Sequence, residues 1–220
     1  MSEPHATSRA SATHFDAVAS TWEADPGHTA LARAVANAIL EVIPLVGTER
    51  AMEFGCGTGL VTGLLARSVG HLLATDNSTG MLDVLRRKLR ELDIHNVEPM
   101  QADLAQQLPA GPFDFVFSSM TLHHIEDVAD LLARVHDALA PGGRVAFADL
   151  AKEDGSFHGP DIPGVLHHGF EPAELTRWLE AAGFADVRVR IAHRMNRSRA
   201  DGSTREYPVL LVTARRPGEP

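Results

Sequence analysis

A doubly wound α/β sheet of seven strands, mostly parallel and closed by an antiparallel C-terminal strand, is the fold class this 220-residue chain predicts. Three observations lead there. Short apolar runs alternate with amphipathic helical stretches, the pattern of βαβ units around a parallel sheet. Three glycines, Gly55, Gly57 and Gly59, crowd the point where the first apolar run turns helical. The last two strand candidates are joined by polar residues alone, a link that allows an antiparallel return and hardly a parallel crossover.

The elements follow in order. Residues 1–13 are polar and are expected to be disordered. "THFDAVASTWEADPGHTALARAVANAILEVI" reads as two helical pieces broken near Asp25-Pro26-Gly27. In the second piece Leu31, Val35, Ala38, Ile39 and Val42 recur at helical spacing, and Pro44 marks its end. Strand and helix then alternate: "RAMEF" and "GLVTGLLARSV", "HLLATD" and "TGMLDVLRRKLREL", "VEPMQAD", "FDFVFSS" and "VADLLARVHDALA", "GRVAFADL" and "EPAELTRWLEAAG". Right-handed crossovers place these helices on both faces of the sheet. The ending, "VRVRIAHRM" and "YPVLLVTARR", is a hairpin in which Val187, Val189 and Ile191 alternate with Arg188 and Arg190, as in a half-buried strand. With no repeat, low-complexity run or linker, residues 14–220 read as one domain.

Composition narrows the function. A net charge of −9 argues against a general nucleic-acid binder. No stretch approaches the ~20 apolar residues that span a bilayer, and no apolar signal segment stands near the start, so the expectation is a cytoplasmic protein without a membrane partner. One cysteine makes neither an internal disulfide nor, by itself, a metal-ligand pattern. From Asp186 to Pro220, however, eight arginines face four acids, which suits either a solvated strand edge or an anionic acceptor or partner.

The glycines point to a ligand. In open α/β sheets, ligands bind beyond the carboxyl ends of the strands, where glycine lets backbone approach them. The next strand ends at Asp76, 21 residues after Gly55, well placed to accept from a ribose diol. A nucleoside-containing cofactor is the reading. The NTPase loop requires a lysine that is absent here, and the dinucleotide GxGxxG pattern finds Leu60 where its third glycine belongs.

From about Phe15 to Arg216 the chain resembles the class I S-adenosylmethionine-dependent methyltransferases, in particular the small-molecule branch that includes the quinone-biosynthesis C-methyltransferases. "MEFGCGTG", "ATDNSTGML", "MQADLAQQLP", "FDFVFSSMTLHHI" and "ALAPGGRVAFAD" match the family's five motifs in register. The resemblance implies a Rossmann-like fold, one methyltransferase domain with a helical lid over residues 14–43, and S-adenosylmethionine as cofactor. It implies that Glu53, Gly55, Cys56, Gly57, Thr58 and Gly59 line the methionine half. Asp76 would take the ribose hydroxyls, with Asn77 and Met81 beside the adenine; Asp103 and the backbone of Leu104 would read the adenine edge. Ser118 and Ser119 would pass near the methionine segment, His123 fills a position the family commonly gives to histidine, and Phe15 and Trp22 would close the lid. Cys56 is read as a steric member of the loop.

The sulfonium leaves readily, so the protein must mainly align an acceptor in line and exclude water. A base is required only where the acceptor loses a proton. His124, after the fourth strand, and His167 and His168, in the Gly/Pro-rich connection "KEDGSFHGPDIPGVLHHGF", are the candidates, with His158 in the same loop. The spacing matches no standard metal site. A small free metabolite is the expected acceptor. A regulatory or scaffolding cofactor binder and, less so, an NAD-dependent oxidoreductase are the alternatives. Oligomeric state and the acceptor atom are not legible.

Overall fold

A computed structural model describes residues 4–104, 106–158, 162–198 and 202–218. Seven strands form one sheet: β1 (Arg50–Phe54), β2 (His71–Asp76), β3 (Val97–Gln101), β4 (Phe113–Ser119), β5 (Leu139–Leu150), β6 (Ala185–Ser198) and β7 (Thr204–Arg215). Their order is β3-β2-β1-β4-β5-β7-β6. The pairs among β1 to β5 are parallel, and β7 lies antiparallel between β5 and β6. The sheet is thus Rossmann-like, with its direction of winding reversing between β1 and β4.

Helices α2 (Pro26–Val42) and α3 (Leu60–Leu65) bury Val35, Ile39, Val61 and Leu65 against Ala51, Leu72, Phe115 and Ala146. α4 (Thr79–Glu91) packs Leu82, Leu85 and Leu89 on Ala74. The opposite face is covered by α5 (Val128–Ala138) and α6 (Pro172–Ala181), whose Leu131, Leu132, Val135, Leu175 and Leu179 meet Met52, Phe54 and Val116. Because successive strand side chains alternate faces, Met52 and Phe54 go to one layer while Ala51 and Glu53 go to the other.

Two expectations are corrected. Disorder over residues 1–13 does not hold from Pro4 onward: α1 spans Pro4–Val18, while residues 1–3 lie outside the described residues. Tertiary contacts override the polar composition there. Ser11 is buried, Asp16 binds the start of α4, and a 3-10 turn (Ala19–Ala24) leads to α2, whose cap Asp25 accepts from Gly27 N at 2.7 Å. In β6, Val187 and Val189 face the core as expected, but Ile191 is 44% exposed. A bulge between Ile191 and His193 resets the alternation, so that Met195 turns inward instead.

Candidate active site

A cavity of about 440 Å³ opens beyond the carboxyl ends of β1, β2 and β4. It sits at the β1/β4 reversal, where an open α/β sheet leaves a crevice between diverging loops. α1 and the 3-10 turn after it roof the cavity. Phe15 stands edge-on to Trp22 at 5.8 Å and to His124 at 5.5 Å, forming an aromatic wall from roof to sheet.

The glycine loop divides into distinct roles. All three glycines hold positive φ, of 64°, 53° and 79°. A Cβ on Gly55 would lie 2.1 Å from Thr121 Oγ1, and one on Gly59 2.3 Å from Leu85, so packing against protein fixes both. A Cβ on Gly57 would meet only Met81 Sδ, at 4.0 Å; that glycine faces open cavity.

Two carboxylates back this loop. Asp76 accepts from Gly57 N at 2.8 Å and from Ser78 N at 2.9 Å, tying the end of β2 to the loop. Burial raises its pKa despite those bonds. Glu53, buried among β1 and α3, accepts from the Thr62 hydroxyl; burial lifts its pKa to about 8. It is therefore neutral at pH 7 in the free protein and ready to ionise beside a cation. The Cys56 thiol is likewise pushed up by burial, then by Asp76 and Glu53, which makes it inert and agrees with its steric reading.

The sequence-predicted residues separate into two groups. Phe15, Trp22, Glu53, Gly55, Cys56, Gly57 and Thr58 line the cavity, as do Asp76, Asn77, Met81, Asp103, Leu104, Ser119, His123 and His124. Gly59, Ser118, His167 and His168 are not among its lining residues. Gly59 serves as the N-cap of α3 under Leu85. Ser118 is fully buried on the sheet face opposite to that of its neighbour Ser119. The placement of the acceptor-loop histidines is corrected for a related reason. Leu166 N and His167 N both donate to His123 O, a turn that sends Leu166 to the cavity. His167 then hydrogen-bonds Ile125 O at 2.8 Å and packs on Phe170, while His168 is mostly exposed beside Glu153.

The histidines that do meet there form a chain. Asp149, on β5, is 1% exposed and lies 2.7 Å from His123 Nδ1; His123 Nε2 lies 3.2 Å from His158 Nε2. Burial would raise the Asp149 pKa, but His123 and the backbone N–H groups of Leu150 and His123 hold it below the ordinary range. His124 donates Nδ1–H to Gly164 O at 2.7 Å, and burial, reinforced by His123, brings its pKa to about 4. Sequence reasoning missed Asp149, Met195 and Arg197. Asp149 carried a signal, being a lone acid inside the apolar run "GRVAFADL". The other two did not, because the β6 bulge that turns them inward has no glycine or proline to announce it.

With this geometry in place, the relatives are informative. Residues 52–147 match the methyltransferase domain family. The chain is 32% identical over 151 residues to an uncharacterised methyltransferase of Mycobacterium tuberculosis, covering 68% of each. It is 31% identical over 153 residues to an uncharacterised methyltransferase of Schizosaccharomyces pombe, covering 63% of this chain but only 54% of the yeast one, so the match spans about half of that relative's length. Its structure superposes on that of DhpI in complex with S-adenosylhomocysteine with a TM-score of 0.75 and 26% identity, covering 99% of this chain and 100% of DhpI. A glycine loop facing the cavity, an acid at the end of β2, a β7 reversed between β5 and β6, and these kinships lead to one conclusion: the chain belongs to the class I S-adenosylmethionine-dependent methyltransferases.

Proposed function

We propose that this chain binds S-adenosylmethionine in the cavity at the β1/β4 reversal and transfers its methyl group to a small-molecule acceptor by in-line displacement. One observation carries the reading. Among the described residues, one cavity open to solvent on part of its rim runs from the Gly57, Asp76 and Asp103 end to the His124, His158 and Met195 end, a space in which a cofactor and an acceptor would lie side by side.

The residues suit that cofactor. The open space at Gly57 is a cradle that any Cβ would narrow, and Glu53 offers a buried carboxyl that a ligand ammonium would ionise. Thr58 Oγ1 is buried with no partner among the described residues, a hydroxyl left to serve a ligand. The cofactor, when bound, supplies a methyl group on a good leaving group. The chain supplies the rest. Asp76 would hold the ribose hydroxyls while it anchors Gly57 and Ser78, and Asp103 with Leu104 N would accept from and donate to the adenine edge. Phe15 and Trp22 would shut out water. Orientation of this kind can contribute ~7–11 kcal/mol in favourable cases. The roofed cavity also favours an acceptor small enough to sit under α1, rather than a macromolecule.

Calorimetry with S-adenosylmethionine, S-adenosylhomocysteine and NAD tests the cofactor. Binding of the first two but not the third is expected; binding of NAD alone would overturn the reading. Label transfer from methyl-labelled cofactor to a panel of phenols, amines and thiols then separates an enzyme from a scaffold that only binds.

A further inference from the structure

With each imidazole carrying a single hydrogen, the Asp149–His123–His158 chain has one proton order that its contacts allow. An ionised carboxylate only accepts, so at 2.7 Å His123 must donate Nδ1–H to Asp149. When His123 carries only that one hydrogen, its Nε2 is bare. Across the 3.2 Å contact one nitrogen must carry hydrogen, and the only one available is His158 Nε2. His158, which lines the cavity, is thereby left with Nδ1 as a lone pair.

Charge placement gives this order a direction. The groups facing His158 are His123, His124 and Arg197, with Asp149 behind His123. Arg197 lies over the Phe157 ring and donates to Phe157 O at 3.0 Å, and burial combined with His123, His124 and Arg197 opposes a positive charge on His158. A proton arriving at Nδ1 is therefore better accommodated by shifting the Nε2 proton to His123, where the cation is paired with Asp149 at 1% exposure.

Taking the methyl-transfer reading as its basis, we propose that His158 takes the proton of an ionising hydroxyl on the acceptor, a phenol or enol with an apolar body, and that Asp149 and His123 act as the relay that carries the charge away. The acceptor oxygen forms its bond to the methyl carbon as the carbon–sulfur bond breaks. Its hydrogen goes to His158 Nδ1, the His158 Nε2 hydrogen passes to His123 Nε2, and one proton is returned to water when product leaves. The class follows from the need for a base. A phenol or enol must give up its hydrogen to be methylated, whereas an amine acceptor needs its lone pair rather than a base. Burial and the facing charges hold His158 itself down at about 3, so the proton is accommodated only by passing on to the His123–Asp149 pair. Leu166, Phe157 and Met195 supply the apolar surroundings.

The wiring is tested without any acceptor. The full chain, labelled with ¹⁵N in histidine and saturated with S-adenosylhomocysteine, is examined by imidazole ¹H–¹⁵N correlation at pH 7, with His158→Gln to assign the resonance. His158 protonated at Nε2 and bare at Nδ1 is expected; a hydrogen on Nδ1 overturns the proposal. Asp149→Leu removes the acceptor that fixes the His123 tautomer, so the His158 Nε2 and Nδ1 resonances should move, and an unmoved His158 overturns the relay. The wild-type spectrum decides even where that variant does not fold. For the substrate class, methyl-labelled cofactor is offered with phenols, enols, amines and thiols. Label on a hydroxylated probe, falling by about 10²-fold in His158→Ala while S-adenosylhomocysteine affinity stays within about twofold, is expected. Label only on amines or thiols, or on no hydroxylated probe, overturns it. Absence of cofactor binding in the calorimetry above would instead sink the methyl-transfer reading and leave the tautomer result standing.

Discussion

The Ser78 hydroxyl, on the residue that caps α4, donates a 2.6 Å hydrogen bond to the carboxylate of Asp16 on α1. The same carboxylate oxygen accepts from Gly80 N at 2.7 Å, and Ser78 Oγ in turn accepts from Met81 N. One acid thus fixes the roof of the cavity to the helix that follows Asp76. Lys88 repeats the connection two turns later, donating to Glu23 at 2.6 Å and to Thr58 O at 3.1 Å.

Removing this latch should open the roof without unfolding the sheet. Asp16→Ala deletes two hydrogen bonds to a charged but exposed acceptor, so a loss of about 1 kcal/mol in roof closure is expected after solvent screening. That corresponds to roughly fivefold weaker cofactor binding, together with faster proteolysis within α1. The latch should also persist into mild acid, because the Ser78 and Gly80 hydrogen bonds hold Asp16 below its ordinary pKa. Its contribution is present above the unfolded value and lost only as pH falls through the lowered one. Equal cleavage rates for mutant and wild type would show that α1 is held by other contacts.

Gly57 should be the least tolerant of the three glycines for binding, though not for folding. At φ 53° any side chain is strained, at about 1 kcal/mol for alanine, yet the surrounding space is empty. Gly57→Ala should fold with a modestly lower Tm and lose at least tenfold in S-adenosylhomocysteine affinity. Gly55→Ala and Gly59→Ala should be hit mainly in stability, since their Cβ atoms would collide with Thr121 and Leu85. Thermal melts alongside calorimetry separate the two effects.

Asp76 carries both the loop and the proposed ribose contact. Asp76→Ala removes the acceptor for Gly57 N and Ser78 N as well as any bond to the ligand, so affinity should fall by more than tenfold, at ~1.5–3 kcal/mol per charge-assisted bond. Unchanged affinity in a folded variant would remove Asp76 from the site.

The layered sheet, the glycine loop and the acids at the strand ends were legible because each rests on local sequence: periodicity, glycine spacing and an acid after an apolar run. What sequence did not show depends on contacts between distant segments. The direction of the loop from Lys152 to Phe170 is set by His123 O accepting from Leu166 N and His167 N, a bond that no local pattern encodes. It exchanges the expected roles of His167 and His168 for that of His158. The inward turn of Met195 depends on a bulge, and the helical state of Pro4–Val18 on its docking to α4. Glu53 is legible from the first motif as part of the methionine-half lining, but its neutral state emerges only from the surrounding burial.

That neutral state leads to a pH prediction. Glu53 titrates at about 8 in the folded free protein, against an ordinary value of 4.5, with burial as the main cause and Asp76 adding to it. The folded state therefore binds more protons than the unfolded one between those two values, and stability falls as pH rises through that window. Glu53→Gln should flatten this slope, melting higher than wild type at pH 8 and above and little differently at pH 5. Cofactor binding should show the converse. A ligand ammonium beside Glu53 requires the carboxylate, so binding at pH 7 should release close to one proton. Affinity should rise by up to about tenfold per pH unit between pH 6 and 7. Calorimetry in buffers of different ionisation enthalpy measures the released proton directly. No proton release in wild type, or the same release in Glu53→Gln, would place the ammonium elsewhere in the cavity.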